Sequence, residues 1–371
     1  MKYLLFFIIL IFANFFLTSC SFQMSFFKEI NKDSLNSNLL ISPLSAYQVL
    51  GLTANGANGK TLEQMLLALG NKSLEELNKI NKEILNLSKQ FSTVELANAI
   101  MTLIKPKQSF LDATALYEAT VEPLKNVAQI NNWCNLKTHG TIKTIIDSIP
   151  PNTIMILLNA VYFKGAWKTE FEEKKTSKQL FYNFNNENES KKVDTMKVTE
   201  IYNYFADKDV QIVELPYTKD SMSAVILLPN KDININDFIS ELSDEKLQRL
   251  LKRMYPQKIH LQLPKFKLET KYKLNKVLKT MGMKVPFQGN ADFTGIAAGS
   301  MYIDLVIQKS YLAIDEKGTE ASSVTAVIIR TKGIDSTPSM TINRPFIFML
   351  RNKDFPENYE MLFMSKIEKL D

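Results

Sequence analysis

Residues Ile154 to Phe163 read Ile-Met-Ile-Leu-Leu-Asn-Ala-Val-Tyr-Phe, a continuous apolar run broken only by Asn159. A strand apolar on both faces has no wet side, so it belongs in the centre of a sheet covered above and below. Buried in that position, the Asn159 amide requires hydrogen-bond partners. With 371 residues the chain has ample material for such a core, and by length alone it would make one large or two average domains. No composition shift marks a linker and no internal repeat is present.

Composition narrows the function. Hydrophobic residues make up 45% and charged residues 23%, the balance of a globular protein. Lys plus Arg number 45 against 39 Asp plus Glu, a net +6, but the charges are interspersed and only five are Arg. Nucleic-acid binding calls for a clustered basic face, and the sequence offers no basis for one. There are two cysteines, Cys20 and Cys134, so no disulfide framework forms if Cys20 is modified or removed. The two histidines are equally uninformative. His139 falls in a turn beside Gly140, His260 on a strand, and no Gly-x-Ser-x-Gly elbow exists, which argues against a Ser-His-Asp hydrolase. No metal-ligand spacing is present, and nothing implies a cofactor.

Residues 1–20 read as an export signal. Lys2 precedes an apolar run from Tyr3 to Leu17, followed by Leu17-Thr18-Ser19-Cys20. As a helix the run would be about 22 Å long, short for a hydrocarbon core of about 30 Å. The last four residues resemble a bacterial lipobox, in which the cysteine becomes the lipidated first residue. Cys20 is thus a candidate lipidation site and membrane anchor, with simple cleavage and secretion as the other outcome. Lipoproteins usually carry a polar tether here, whereas Phe22, Phe26, Phe27 and Ile30 begin a helical pattern at once.

Further along, Ser42-Pro43 is a helix start with serine as cap and proline at the first helical position. A short helix over Thr61 to Leu69 stops at Gly70, and residues 71–90 form a polar amphipathic helix. Strands are expected over Glu95 to Ile104, Val210 to Tyr217, Ser223 to Pro229 and Lys258 to Leu268. Helices are expected around Ile130 to Cys134, near Asp237 to Met254 and over Tyr272 to Met281. Between Thr319 and Lys332 there is neither Gly nor Pro, so the segment is competent as a strand of about 45 Å. Thr319, Ala321, Ser323 and Thr325 share one face and are all small. Turn formers follow from Gly333 to Pro338. Taken alone, the segment fits an ordinary strand and connection equally well.

Several phrases in order resemble the serpin family. They are Ser42-Pro43-Leu44-Ser45 with the Gly56 to Thr61 turn behind it, Asn159 to Trp167, Ser223 to Pro229, Asn343 to Phe348 and Leu362 to Ile367. The resemblance spans about Phe22 to Leu370 and implies a single α+β domain over 21–371. It would hold about three β-sheets, eight or nine helices and an exposed reactive-centre loop at about 316–339. The implied activity is suicide-substrate inhibition of a serine protease through a covalent complex, by a monomer with no cofactor. Glu316, Gly318, Thr319, Glu320, Ala321, Ser322 and Ser323 match the family's hinge, and Ser42, Ser45, Asn159 and Gln308 its sheet-opening region. Counting sixteen residues from Glu316 puts the scissile bond at Lys332-Gly333, with Arg330 as the other bait residue; either suits a trypsin-like target. A helix at 71–90 binds polyanions in some serpins, but here four lysines against three glutamates read as a solvated face. Two positions depart from the family pattern. Gln308 stands where a histidine is usual, and Ser365 where Gly is usual, which would crowd the core. The competing reading is a non-inhibitory serpin, cut as a substrate or acting as a carrier.

Overall fold

Serine caps begin four of the helices among the described residues. Ser21 Oγ accepts from Met24 N ahead of α1 (Phe22–Lys32), and after the short strand β1 (Leu39–Ile41) Ser42 Oγ accepts from Ser45 N ahead of α2 (Pro43–Ala54). Every residue of α2 is buried. Helix α3 (Gly59–Leu69) stops at Gly70 in the left-handed region, and Ser73 caps α4 (Leu74–Ser88). These elements belong to a computed structural model that describes residues 20–89, 94–218, 221–319 and 336–371.

The central run forms its strand as expected. In chain order come β2 (Val94–Thr102), α5 (Gln108–Thr114), β3 (Thr120–Pro123), α6 (Val127–Lys137), β4 (Met155–Phe163) and the two-residue β5 (Gly165–Ala166). Next are β6 (Ser177–Tyr182), β7 (Ser190–Ala206), β8 (Val210–Pro216), β9 (Met222–Pro229), α7 (Ile235–Glu241) and α8 (Asp244–Arg253). Then come β10 (Tyr255–Pro264), β11 (Phe266–Lys273), α9 (Asn275–Thr280), β12 (Leu305–Ile314) and β13 (Gly318–Thr319). Strands β14 (Ser339–Thr341), β15 (Phe346–Asn352) and β16 (Met361–Ile367) end the chain.

The described residues thus hold nine α-helices and three sheets in one α+β domain. The main sheet has the order β11-β12-β4-β2-β3, and all nine residues of its central strand β4 are buried. One face of it packs on α6, where Ile156, Leu158, Ala160 and Ile307 meet Ile130, Trp133 and Cys134. Its other face packs on α2, in the core that joins Leu157 and Val306 to Val49 and Leu50. Each buried Val, Leu or Ile among them contributes roughly 1.5–3 kcal/mol of transfer free energy. A nine-stranded sheet, β1-β16-β15-β9-β8-β7-β10-β14 with β6 on β7, contributes Val225 and Ile347 to that core and forms a second one with Val161, Phe163, Leu312 and Ile314 of the main sheet.

Three local expectations change. The helix expected near Asp237 to Met254 is two helices, because Ser243 caps the second by accepting from Lys246 N. The helix expected from Tyr272 begins only at Asn275, since Tyr272 is still in β11, paired with Gln308. Ser365 finds room: it is fully buried and its Oγ donates to Phe348 O at 2.7 Å.

Candidate functional site

Strands β12 and β4 run parallel side by side in the main sheet, but their pairing stops early. It extends from Leu305-Ile156 to Ser310-Val161. Beyond that level, among the described residues, Tyr311–Ile314 pair with β11 and Tyr162–Phe163 with β2 but not with each other, so the seam is unzipped at this end. Strand edges that no longer pair with each other are a site where another strand can add.

The seam that remains closed is crossed by side-chain amides. Asn98, Asn159 and Gln308 sit at one level on β2, β4 and β12, each in register with the next. Gln308 Nε2 donates to Asn159 Oδ1 at 2.7 Å, and Asn159 Nδ2 donates to Asn98 Oδ1 at 2.7 Å and to Ser45 Oγ. Gln308 also grips the start of α2, accepting from Ser42 N at 2.9 Å and donating to Ser42 O at 2.8 Å. All four sequence-identified residues, Ser42, Ser45, Asn159 and Gln308, are fully buried and meet here. Asn98 was not identified from sequence; its strand position shows the level but not the partner. Buried amides of this kind are costly unless paired, and these pair with one another. A glutamine carries no charge on either side of neutrality, so the row does not titrate there.

At the unzipped end the chain leaves β12 through a tight turn. Asp315 N donates to Gly318 O at 3.0 Å, and Gly318 N to Asp315 O at 3.2 Å. Gly318 and Thr319 then pair with Ala166 and Gly165, directly beyond β4. Gly318 has φ 133°, and a Cβ there would lie 2.1 Å from Gly165 O, so only glycine fits. Thr319 is 1% exposed, its hydroxyl 3.0 Å from that of Tyr217. Trp167 stacks on Tyr217 at 4.4 Å and closes the turn by donating its backbone N to Lys317 O and its Nε1 to Asp315 O.

Glu316 clasps the turn to the sheet. Its carboxylate accepts from Thr176 Oγ1 at 2.7 Å and meets Lys265 Nζ at 2.7 Å, while its carbonyl accepts from Phe171 N. Burial opposes its ionisation, but the Lys265 ammonium and Thr176 hydroxyl outweigh that and hold the carboxyl below the usual range. The hydrogen bond from Lys265 to Glu316 raises the lysine in turn. Thr176 and Lys265 are more than fifty residues distant in sequence, with no local signal of the contact. Of the sequence-identified hinge, Glu316, Gly318 and Thr319 come together here; Glu320, Ala321, Ser322, Ser323, Arg330, Lys332 and Gly333 lie outside the described residues. Cys20 is elsewhere, half-buried at the start of α1, and burial pushes the Cys134 thiol up to about 12, with Lys309 opposing. Among the described residues no group of His, Cys, Asp or Glu could hold a metal, and no helix is long and apolar enough to cross a membrane.

The unzipped parallel seam thus lies directly beside the turn that Glu316 clasps to the sheet. The profile of the family described as Serpin (serine protease inhibitor) matches residues 17–370, and the chain belongs to that family. It is 32% identical over 359 residues to Iripin-8 of Ixodes ricinus, covering 90% of this chain and 88% of the relative. It is 30% identical over 358 residues to the leukocyte elastase inhibitor of Xenopus laevis, covering 89% and 93%. Among solved structures, the native state of tengpin, a thermophilic serpin, superimposes with a TM-score of 0.85 at 32% identity, over 94% of this chain and 92% of that one.

Proposed function

We propose that residues 21–371 form an exported inhibitor that traps trypsin-like serine proteases covalently. The protease serine oxygen attacks the Lys332 carbonyl, or that of Arg330, and Gly333 leaves as the free amine for the Lys332 cut. The ester so formed stays on the cut loop. The loop then enters the main sheet between β12 and β4 before water can release the enzyme. The observation that supports this reading is the position of Gly318 and Thr319: they pair with β5 at the mouth of the unzipped seam, from which a cleaved loop would have to enter the gap at its open end.

Length supports the reading. Lys332 lies thirteen positions beyond Thr319, and as a strand that span reaches about 43 Å, against about 33 Å for the ten residues of β12. A bound protease would therefore be carried past the far end of the sheet. Inserting a strand also breaks the Gln308-Asn159 hydrogen bond, which gives the uncut form a barrier. Cys20 is proposed as the lipidated first residue, anchoring the inhibitor to a membrane; freely secreted protein is the other outcome. Incubation with trypsin tests inhibition. An SDS-resistant complex of summed mass is expected; cleavage at Lys332 with full protease activity remaining makes the protein a non-inhibitory substrate.

A further inference from the structure

The chain's mild overall charge conceals a local excess. From Thr270 to Ala291 there is no Asp or Glu but five lysines, at 271, 273, 276, 279 and 284. The fold puts all five on the surface, on the end of β11, on α9 and just beyond it. Helix α3 adds Lys60, since Gln64 one turn along accepts from the backbone N of Lys284 and Val285. The carboxylates facing this group are few. Asp147 takes Lys271, Asp33 takes Lys276, and Glu63 stands on α3 beside Gln64. Lys273, Lys279 and Lys284 make no ion pair among the described residues; Lys279 lies over the Phe287 ring.

This face borders the start of α1. Helices α9 and α1 are in contact, Lys276 meets Asp33 at one end of α1, and Met281, just past α9, lines the same groove as Cys20 at the other. The groove, about 870 Å³, also takes in Phe22 and Leu67, and Leu67 is 71% exposed. Leu35, two residues after Asp33, is 48% exposed. No tether intervenes: Ser21 N and Oγ both donate to Asp244, at 2.6 and 2.7 Å. Whatever is attached at Cys20 emerges against this part of the body.

We propose that the α9 face, with Lys273, Lys279 and Lys284 at its centre, seats on an anionic phospholipid surface. Lysines meet headgroups there, and the exposed leucines at its edges reach the acyl boundary, a use of apolar side chains that a polysaccharide or nucleic acid does not offer. The proposal takes only its orientation from the anchoring proposed for Cys20. An anchor at Cys20 holds the protein to the bilayer without fixing which face meets it, and a basic patch is a second signal that would seat this face.

The test is co-sedimentation of the full protein with vesicles of phosphatidylcholine alone and with about one-third phosphatidylglycerol. A lipid anchor binds both kinds alike, so the seat reads as preference for the anionic vesicle. Lys273→Glu/Lys279→Glu/Lys284→Glu is expected to lose that preference, at roughly fivefold per lysine, with its thermal unfolding unchanged. The exposed Lys191→Glu/Lys192→Glu/Lys208→Glu set, with the same change in charge, is expected to keep most of it. No anionic preference in the unmodified protein, or equal loss in both sets, overturns the proposal. So does tight binding to heparin or DNA, sensitive to the α9 set, with no vesicle preference. Trypsin trapping in solution is expected to survive the α9 set; failure of the unmodified protein to trap, with vesicle preference intact, removes the inhibitor reading and leaves this one standing.

Discussion

Gln308 Nε2 donates to Asn159 Oδ1 at 2.7 Å across the seam between β12 and β4. On the proposed mechanism a strand would enter through this bond, which would make residue 308 a determinant of both the stability of the uncut form and the ease of opening. Gln308→Ala would leave Ser42 N, Ser42 O and Asn159 Oδ1 without this partner in a buried place. A loss of about 3 kcal/mol is expected, measured as a lower urea midpoint. An unchanged midpoint would mean that the amide row is not what holds the seam.

The uncharged glutamine also predicts that trapping is flat across neutral pH. Gln308→His should introduce a dependence. A buried imidazole has its folded pKa lowered below the free value of about 6.5, so its contribution is present above that value and lost as pH falls. The expected outcome is thermal stability that drops below about pH 6.5 in the variant only.

Glu316 and Lys265 give a second, acid-side dependence. The folded carboxyl lies below its usual range, so the clasp contributes fully above about pH 4.3 and is lost as pH falls through the folded value. Lys265 is shifted upward, so its share is lost only as pH rises above about 10.4. Glu316→Gln should cost about 1–2 kcal/mol at neutral pH and flatten the acid limb of a melting curve followed against pH. An acid limb identical to the parent's would remove Glu316 from the account.

Thr319 is buried against Tyr217, where on the proposed mechanism the loop would begin to enter. Thr319→Arg brings an unpaired charge to that point, and burying it opposes the first step of insertion. The variant should be cleaved by trypsin without forming the SDS-resistant complex; complex formation at the parental level would refute the insertion geometry.

Cys20 is checked by mass. Lipidation predicts an N-terminal peptide beginning at Cys20 and heavier than its sequence by an acylated glyceryl group, absent from Cys20→Ser. A peptide with unmodified Cys20 would support secretion instead.

The elements set by neighbouring residues were legible in the sequence. The apolar run of β4, the serine-proline start of α2 and the glycine stop of α3 each depend on contacts within a few positions, and each lies where expected. Helix ends were less so: Ser243 divides one expected helix, and sheet pairing holds Tyr272 in β11. The amide row and the clasp were partly legible. Asn159 announced itself as a polar residue in an apolar run, but Asn98, Lys265 and Thr176 become partners only when strands and loops distant in sequence are brought side by side. Composition is silent on α9, because a balance summed over the chain averages away an acid-free stretch.

The attachment of α9 to the main sheet has one more consequence. Asn275 donates to Asp304 O and accepts from Val306 N, so the lysine-bearing helix is bonded to the first residues of β12, opposite the hinge. A protease carried the length of the sheet would arrive at this pole. Lipid and captive enzyme would then compete for the same ground, and each completed capture would lift the inhibitor's lysines from the bilayer, turning a docked sentinel into a tethered, outward-swung cargo.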